Sequence, residues 1–445
     1  MNAPLSATRR DACHHYLDEF RRIRDTLPGR QRPWLAHLRD QAMQRFMEMG
    51  FPTLRSEDWK YTSVAPIENG LFTLAACTTA MIDRSAIGAL ALPGAHLVVF
   101  VDGRHVPDPS RTDALPDGAT LTSLAVLLER NPRGLAAQLG HVDDYPSAFA
   151  ALNAACMTDG VCVHLARGTR LDAPIHLLFV TTSDKLAVHT RNLIVAEPDS
   201  CATIVEHHVG TGTTSCFTNT VTDIALAERA RIVHHKLQQE NARSCHVAAI
   251  NAQLAAESRF ASTSFALGAA LARADIRVAL DGAGAECTLD GLYLPDGRRH
   301  IDHHTRIDHN QPRCTSRELY KGVLDGAGRG VFNGRLVVHP GAQKSDAAQT
   351  NRNLLLSELA EIDTKPQLEI WADDVKCSHA ATVGQLDAEQ VFYLRSRGLD
   401  DATARALLTY AFAAEMIQRV ELPSLRQHLD GLIRTRLPQS LEALP

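Results

Sequence analysis

The spacing of apolar residues changes character twice along the chain. Tyr16, Phe20, Ile23 and Leu27 fall at helical intervals, and Pro28-Gly29 stops the run. A second helix is expected from Pro33, with Leu35, Leu38, Ala42 and Phe46 on one stripe and Gly50 and Pro52 as its end. "SEDWKYTSV" (56–64) opens a less regular segment. "HLVVFVDGRHVPD" (96–108) reads as a hairpin, because Asp102-Gly103 suits a tight turn with positive φ. The stretch 120–158 is mixed, with helical patches such as LTSLAVLLER.

From about residue 160 the long helical patterns give way to runs of Val, Ile, Leu and Thr broken by Gly, Asp and Asn. A repeat underlies them. Ile194, Thr222, Ile250 and Val278 are spaced 28 apart, as are Ala196, Ile224, Ala252 and Leu280. Ala202, Ala230, Ser258 and Glu286 keep the same interval, and so do Ile204, Ile232, Phe260 and Thr288. Short turns lie between them: EPDS (197–200), AERA (227–230), AAES (255–258) and DGAGAE (281–286). A strand pair with small turns cannot bury its apolar face alone, so successive units must stack. The pattern favours a β-helix of stacked coils, filled by small and branched aliphatics; a sandwich with evenly spaced strands is the alternative.

Helical spacing returns at the C-terminal end. Asp387 can cap AEQVFYLRSR, with Gly398 as its stop. Asp400 or Asp401 can cap a longer helix through Val420, with Leu407, Tyr410, Ala414 and Ile417 on one stripe and Leu408 and Phe412 beside it. Pro423 opens a last helix with Leu425, Leu429, Leu432 and Ile433 on one face. The expected architecture is mainly β: a helical and mixed region over 1–159, a β-helix core over 160–382 and a helical region over 383–445.

Composition narrows the function. The 445 residues include only 5% aromatics and carry a formal charge of −5, which argues against a basic nucleic-acid-binding face. Arg9 and Arg10 resemble a twin-arginine signal, but polar residues follow where an apolar segment is required, and no run approaches a membrane span. A cytoplasmic protein is expected. The ten cysteines form no CxxC pair, which excludes zinc ribbons and ferredoxin-type motifs and points to reduced packing residues. "GAGRG" and "GAGAE" lack the Lys-Ser/Thr of a phosphate-binding loop, so they read as turns, and the chain shows no means of hydrolysing a nucleotide.

Two stretches could carry chemistry. "RRHIDHHTRIDH" (298–309) places His300, Asp302 and His304 on one face of a strand and His303 on the other. Three N/O groups on one face could hold a borderline metal, or they could form a solvated polar strand. His207-His208 and His234-His235 fall 27 apart, a spacing that stacked coils would bring together as a metal site or a structural ladder. The second stretch is "ADDVKCSHAATVG" (372–384). Alternation puts Cys377 and His379 on one face, with Cβ atoms about 7 Å apart. Both could reach one metal or cluster edge, the imidazole favouring the thiolate. A protease-like site has no third orienting group or oxyanion turn. The bland reading is a thiol used for packing.

Several of these segments resemble a known family. "KPQLEIWADDVKCSHAATVGQLDAEQVFYLRSRGL" (365–399) resembles the C-terminal signature of the SufD family, subunits of the SUF iron–sulfur assembly scaffold. "SEDWKYTSV" resembles that family's N-terminal Trp-Lys-Tyr-Thr element, and "TSRELYKGVLDGAGRGVFNGRLVVHPGAQKSDAAQTNRNLLLSE" (315–358) the region shared by SufB and SufD chains. SufB-like chains carry a Glu-His-Glu-Ala-type segment where this one has Cys377-Ser378-His379. Ala380 stands where the family usually has Gly. The resemblance implies a right-handed parallel β-helix between helical regions. It also implies a complex with a SufB-like paralogue and two copies of a SufC-like ATPase.

On that reading the chain is a non-catalytic scaffold. The C-terminal helices, with Leu407, Tyr410 and Phe412, would dock the ATPase, and the end of the β-helix would meet the paralogue. His379, with Cys377 as its less certain partner, would serve a nascent cluster there. No tightly bound cofactor is expected, only transient iron or an iron–sulfur cluster in the complex; a homodimer in isolation stays open. The rival readings are a metal-dependent β-helix enzyme acting on glycans or small esters through His300–His309, and a structural adaptor whose Cys and His merely pack.

Overall fold

The computed structural model describes residues 7–75, 83–112, 115–130, 134–140 and 147–436; Cys77 lies outside them. Helix α1 (Ala7–Ile23) buries Tyr16, Phe20 and Ile23, and α2 (Pro33–Met49) buries Leu35, Leu38, Ala42 and Phe46, the stripes expected from the sequence. Gly50 ends α2 at φ 62, its amide donating to the Phe46 carbonyl at 2.8 Å. Three short elements follow: α3 (Ala65–Glu68), β1 (Thr73–Leu74) and α4 (Arg84–Leu90).

The hairpin is β2 (His96–Val101) and β3 (Arg104–Arg111), and Asp102 and Gly103 both take positive φ at its tip. It does not stand alone, because β2 also pairs in parallel with a later strand and extends a large sheet. The segment LTSLAVLLER is only partly helical. Its first three residues belong to β4 (Ala119–Ser123), and α5 (Leu124–Arg130) starts after them. Thr122 and Ser123 favour strand or cap over helix interior, and pairing with the next strand decides the matter. Two more helices, α6 (Leu135–Gln138) and α7 (Ala148–Cys156), complete the N-terminal region.

Sixteen strands then form eight coils. They are β5 (Val161–Leu165), β6 (Ile175–Thr181), β7 (Leu186–Ala196), β8 (Cys201–Gly210), β9 (Cys216–Leu226), β10 (Arg231–Gln239), β11 (Cys245–Leu254) and β12 (Arg259–Ala266), followed by β13 (Leu271–Leu280), β14 (Glu286–Tyr293), β15 (His300–His309), β16 (Thr315–Leu324), β17 (Arg329–Val338), β18 (Asp346–Leu355), β19 (Glu361–Ile370) and β20 (Lys376–Gly384). Odd strands from β5 to β19 stack in parallel in one sheet and even strands from β6 to β20 in the other. This is a parallel β-solenoid, and it excludes the sandwich.

The 28-residue register holds where the turns are equal: Thr222 lies beside Ile250, Ala230 is one step ahead of the Arg231–Arg259 pair, and Ile232 pairs with Phe260. It slips elsewhere. Ile194 pairs with Ile224, Ile250 with Ile276, and Ile204 with His234. Coil length varies: these changes move the partner by two residues and keep the same face inward, whereas at β12 and β14 the partner moves by one, so Phe260 pairs with Cys287 and not Thr288, and Glu286 with Arg259 and not Ser258. At the equivalent turns, Asp199, Arg229 and Glu257 carry positive φ without being glycine. Stacking supports this conformation: the Asp199 and Arg229 amides donate to carbonyls of the next turn at 3.1 and 3.0 Å.

The N-terminal helices cover the outer face of the odd-strand sheet. Tyr16, Phe46, Phe51 and Phe149 meet Phe217 of β9 in one aromatic cluster, with edge contacts of 5.2–6.4 Å. The outer face of the even-strand sheet is covered by α9 (Asp401–Gln418) and α10 (Pro423–Arg436), while α8 (Ala388–Ser396) links them to the last coil. Asp387 and Asp400 are the N-caps, accepting from the Glu389 and Thr403 amides. The buried face of α9 is Ala404, Ala406, Thr409, Ala413, Ala414, Met416 and Ile417, rotated from the expected stripe, so Leu407 and Tyr410 are half-buried. Small alanines let the helix approach the sheet, which leaves the larger side chains at its margins. Among the described residues, no helix is long and apolar enough to cross a membrane.

Candidate functional site

Among the described residues, the stack ends without a cover. Strands β19 and β20 are last in their sheets, and no further strand pairs with them among the described residues. Pro366, which has no N–H, is accommodated in β19 at this edge. Beside it, β20 is exposed along nearly its whole length. Nine large apolar side chains are exposed among the described residues, and six of them, Leu359, Ile370, Trp371, Val383, Phe392 and Tyr393, belong to this last coil and α8. Such clustering is what an interaction surface requires and a free surface avoids.

Alternation decides what β20 presents. Its Cys377, His379, Ala381 and Val383 pair with Ala347, Gln349, Asn351 and Asn353 of β18, all buried in the solenoid interior. The same phase in the last coil opens on the mouth of the stack. Cys377 and His379 therefore share a face, as the sequence indicates, but differ in environment. His379 is exposed; Cys377 is half-buried against Leu336, Val338, Ala347 and Ala372. Burial, with the Asp346 carboxylate, pushes the Cys377 thiol up. The expectation that the imidazole would favour a thiolate is corrected: burial and the Asp346 carboxylate both favour the thiol.

Beneath His379 runs a polar column that the sequence did not reveal. His379 pairs with Gln349 and Gln349 with Glu318 in successive coils. The Gln349 Nε2 donates to Glu318 Oε2 at 2.7 Å, and burial pushes Glu318 up to about 7. Deeper in, Tyr293 donates to Asn353 at 2.5 Å and accepts from Asn351 at 3.1 Å. Gly291 and Gly322 make room for the tyrosines: a Cβ on either would lie 2.2–2.3 Å from a ring carbon of Tyr320 or Tyr293. The interior behind the mouth is thus polar and tightly filled.

The His-rich stretch is β15, and its environment is a docking contact. His300, Asp302 and His304 do share a face, while His303 points into the stack. Asp302, 1% exposed, accepts from Thr62 Oγ1 at 2.5 Å and from Arg273 Nη1 at 2.7 Å, with His304 Nε2 at 3.1 Å. Thr62 also meets His300 Nε2 at 2.9 Å. The Arg273 guanidinium lies 3.8 Å from the centre of the Trp59 ring and donates to the Asp58 carbonyl. Burial opposes ionisation of Asp302, but His304 and Arg273 hold its carboxyl far below the ordinary range. The segment 56–64 is thereby clamped to the solenoid flank, and Asp302 is committed to a cation of the chain itself. A cleft of about 280 Å³ lies alongside, lined by His304, Arg306, Arg335, Asp58 and Glu369 among others.

The two histidine pairs do not align as expected. The offset between β8 and β10 is 30 residues, so His207 and His208 pair with Leu237 and Gln238, and His234 with Ile204. In each pair one ring faces in and one out: His208 and His234 approach Glu206, whereas His207 stacks on His176 and meets His428 of α10. The helix residues Tyr410 and Phe412 are partly occupied inside the chain. Tyr410 donates to Asp430, with Arg434 over its ring at 4.6 Å, and Phe412 lies 4.2 Å beneath the buried Lys321 ammonium. Leu407 is half-buried; the most exposed aromatics nearby are Phe392 and Tyr393.

Comparison with known proteins places this geometry. The SUF system FeS cluster assembly, SufBD core domain, matches residues 179–412, and the SufBD protein N-terminal region matches 10–177. The chain is 36% identical over 407 residues to the iron–sulfur cluster assembly protein SufD of Escherichia coli, covering 89% of this chain and 92% of the relative. It is 35% identical to an iron–sulfur cluster assembly SufBD family protein of Synechocystis, over 90% of this chain and 91% of the relative. A chloroplastic protein of Arabidopsis thaliana, ABCI7, is 26% identical over 90% of this chain and 86% of its own length. Two domain models covering most of the chain, and relatives matched almost end to end, show that it belongs to the SufBD family of iron–sulfur cluster assembly proteins.

Proposed function

We propose that this chain is a non-catalytic scaffold subunit of an iron–sulfur assembly complex, working with a SufB-like paralogue and a SufC-like ATPase. The observation that carries the reading is the uncovered edge of β20, where His379 stands at the mouth of the stack among exposed apolar side chains. An edge of unpaired backbone groups beside exposed Trp371 and Val383 suits strand-to-strand pairing with a similar chain. An imidazole at that junction suits a borderline ion such as iron. Cys377 is its nearest sulfur on the same face and would join only once its surroundings open.

The cluster is cargo, held transiently. The ATPase would act through α9 and α10; α9 rests on the even-strand sheet through Lys321–Glu415 and, at its C-cap, Arg419–Asp290, and α10 through Leu425, Leu429 and Ile433. Displacement of these helices strains the coils that lead to β20. The exposed Phe392 and Tyr393 lie on α8, between those helices and the edge, and extend the docking surface beyond Leu407, Tyr410 and Phe412.

The test is anaerobic reconstitution with both partners, followed by visible absorption and circular dichroism of the cluster. The His379→Ala complex should assemble with unchanged stoichiometry, while cluster yield falls about tenfold or more. Full yield in that variant would remove the role given to His379. Failure of the chain to co-purify with an ATPase and a paralogue would remove the scaffold reading. Catalytic turnover of a glycan or ester by the isolated chain would favour an enzyme, although the Asp302 carboxylate that such a site needs is already paired with Arg273.

A further inference from the structure

The interior of the early coils holds a charged chamber far from the mouth in sequence. Glu206 and His208 of β8, Lys236 and Gln238 of β10, Glu240 just after it and His246 of β11 converge there, none more than 3% exposed. Both oxygens of Glu240 accept hydrogen bonds, Oε1 from the His246 Nδ1–H at 2.8 Å and Oε2 from Gln238 Nε2 at 2.6 Å, which marks it as a carboxylate. Glu206 accepts from Thr222 at 2.6 Å and has the Lys236 ammonium 3.7 Å from its other oxygen. The chamber thus has two carboxylates and one ammonium. A net negative charge sealed in a low-dielectric interior is costly unless a cation joins it.

The open valences point the same way. His208 Nε2 and His246 Nε2 are buried and have no hydrogen-bond partner, and the two rings meet edge to face at 4.9 Å. One ligand atom from each of His208, Glu240 and His246 lies within 4.8 Å of the others. Bonds of about 2.0–2.1 Å need the atoms closer than that, so on binding the His246 ring exchanges its hydrogen bond to Glu240 for the ion.

We propose that His208, Glu240 and His246 form a resident site for one first-row divalent ion of the iron(II)–zinc(II) class, separate from the cluster cargo at His379. Two imidazoles and a carboxylate match that class in softness and charge. Gln238 fixes the Glu240 carboxylate from outside the ligand set. The ion would tie β8 and the end of β10 in one sheet to β11 in the other. Because every ligand is buried, it enters as the coils stack during folding and leaves only when they part.

The test uses the full-length chain. Wild-type protein from metal-replete cells, purified in the presence of a chelator, should retain about one iron or zinc per chain by mass spectrometry. His208→Ala with His246→Ala should fall about tenfold or more, and His379→Ala should retain the ion. Wild type unfolded and refolded with cobalt(II) alone should show ligand-field absorption of an imidazole–carboxylate site. If the double variant fails to fold, Glu240→Gln, which keeps shape and removes charge, should refold with that absorption lost or shifted. A metal-free wild type that also takes up no zinc(II), iron(II) or cobalt(II) on refolding overturns the proposal. So does bound metal indifferent to all three residues.

Discussion

At the residue scale, Glu318 sets a pH dependence of its own. Burial raises its carboxyl from the usual 4.5 to about 7, so the native state holds the proton more tightly than the unfolded chain. Its contribution to stability is complete below about pH 4.5 and is lost as pH rises through about 7, by on the order of 3 kcal/mol at most. Glu318→Gln keeps an acceptor for Gln349 Nε2 and removes the titration. Urea midpoints measured from about pH 5 to 8 should fall for wild type relative to the variant. Parallel curves would place the proton elsewhere. This residue was not legible in the sequence. Cys377 and His379 are neighbours on one strand, so spacing alone put them together. Glu318, Gln349 and His379 meet only across three coils, and the turn lengths that set that register are invisible to strand alternation. Glu240 and His246 stayed hidden for the same reason: each looked like one polar residue in a strand-rich run.

At the scale of elements, the same slippage explains what the repeat could and could not show. Alternation identified stacked strands because every coil keeps one face apolar or paired. The fixed interval failed at β7, β8 and β11, where turns of different length shift the partner by two, and at β12, where the partner shifts by one. Glycine also serves inside a strand, where no turn signal marks it: Gly322 lies in β16 against Tyr293. Gly322→Ala would place a Cβ 2.3 Å from that ring and 2.6 Å from Asn353. Overpacking of this kind should cost about 1–3 kcal/mol in urea unfolding. Gly384→Ala, with open space around it on β20, should stay within about 0.5 kcal/mol of wild type. Equal effects would mean that the tyrosine column yields easily.

At the scale of the molecule, helical cover protects both outer faces and, among the described residues, leaves one end bare. The sequence displayed the three regimes plainly through their changes of period. It could not display how α9 would turn: its alanines look indifferent beside Leu407 and Tyr410, but their small size is what admits the helix to the sheet. The bare end has a measurable outcome. The chain purified alone should self-associate through β20, and Ala381→Lys with Val383→Lys should shift it toward monomer in sedimentation velocity, since paired ammonium groups disfavour edge pairing. Association unchanged by both lysines would place the self-contact on another surface.

An uncovered final strand accepts one companion at a time. On the proposed scaffold role, a copy of the same chain and a sister chain would compete for it, and mass action would set the winner. Surplus copies made without the sister would be parked as pairs rather than left sticky, then released as the sister accumulates. The supply ratio of two polypeptides, read out by a single edge, would thus meter how many working assemblies a cell holds.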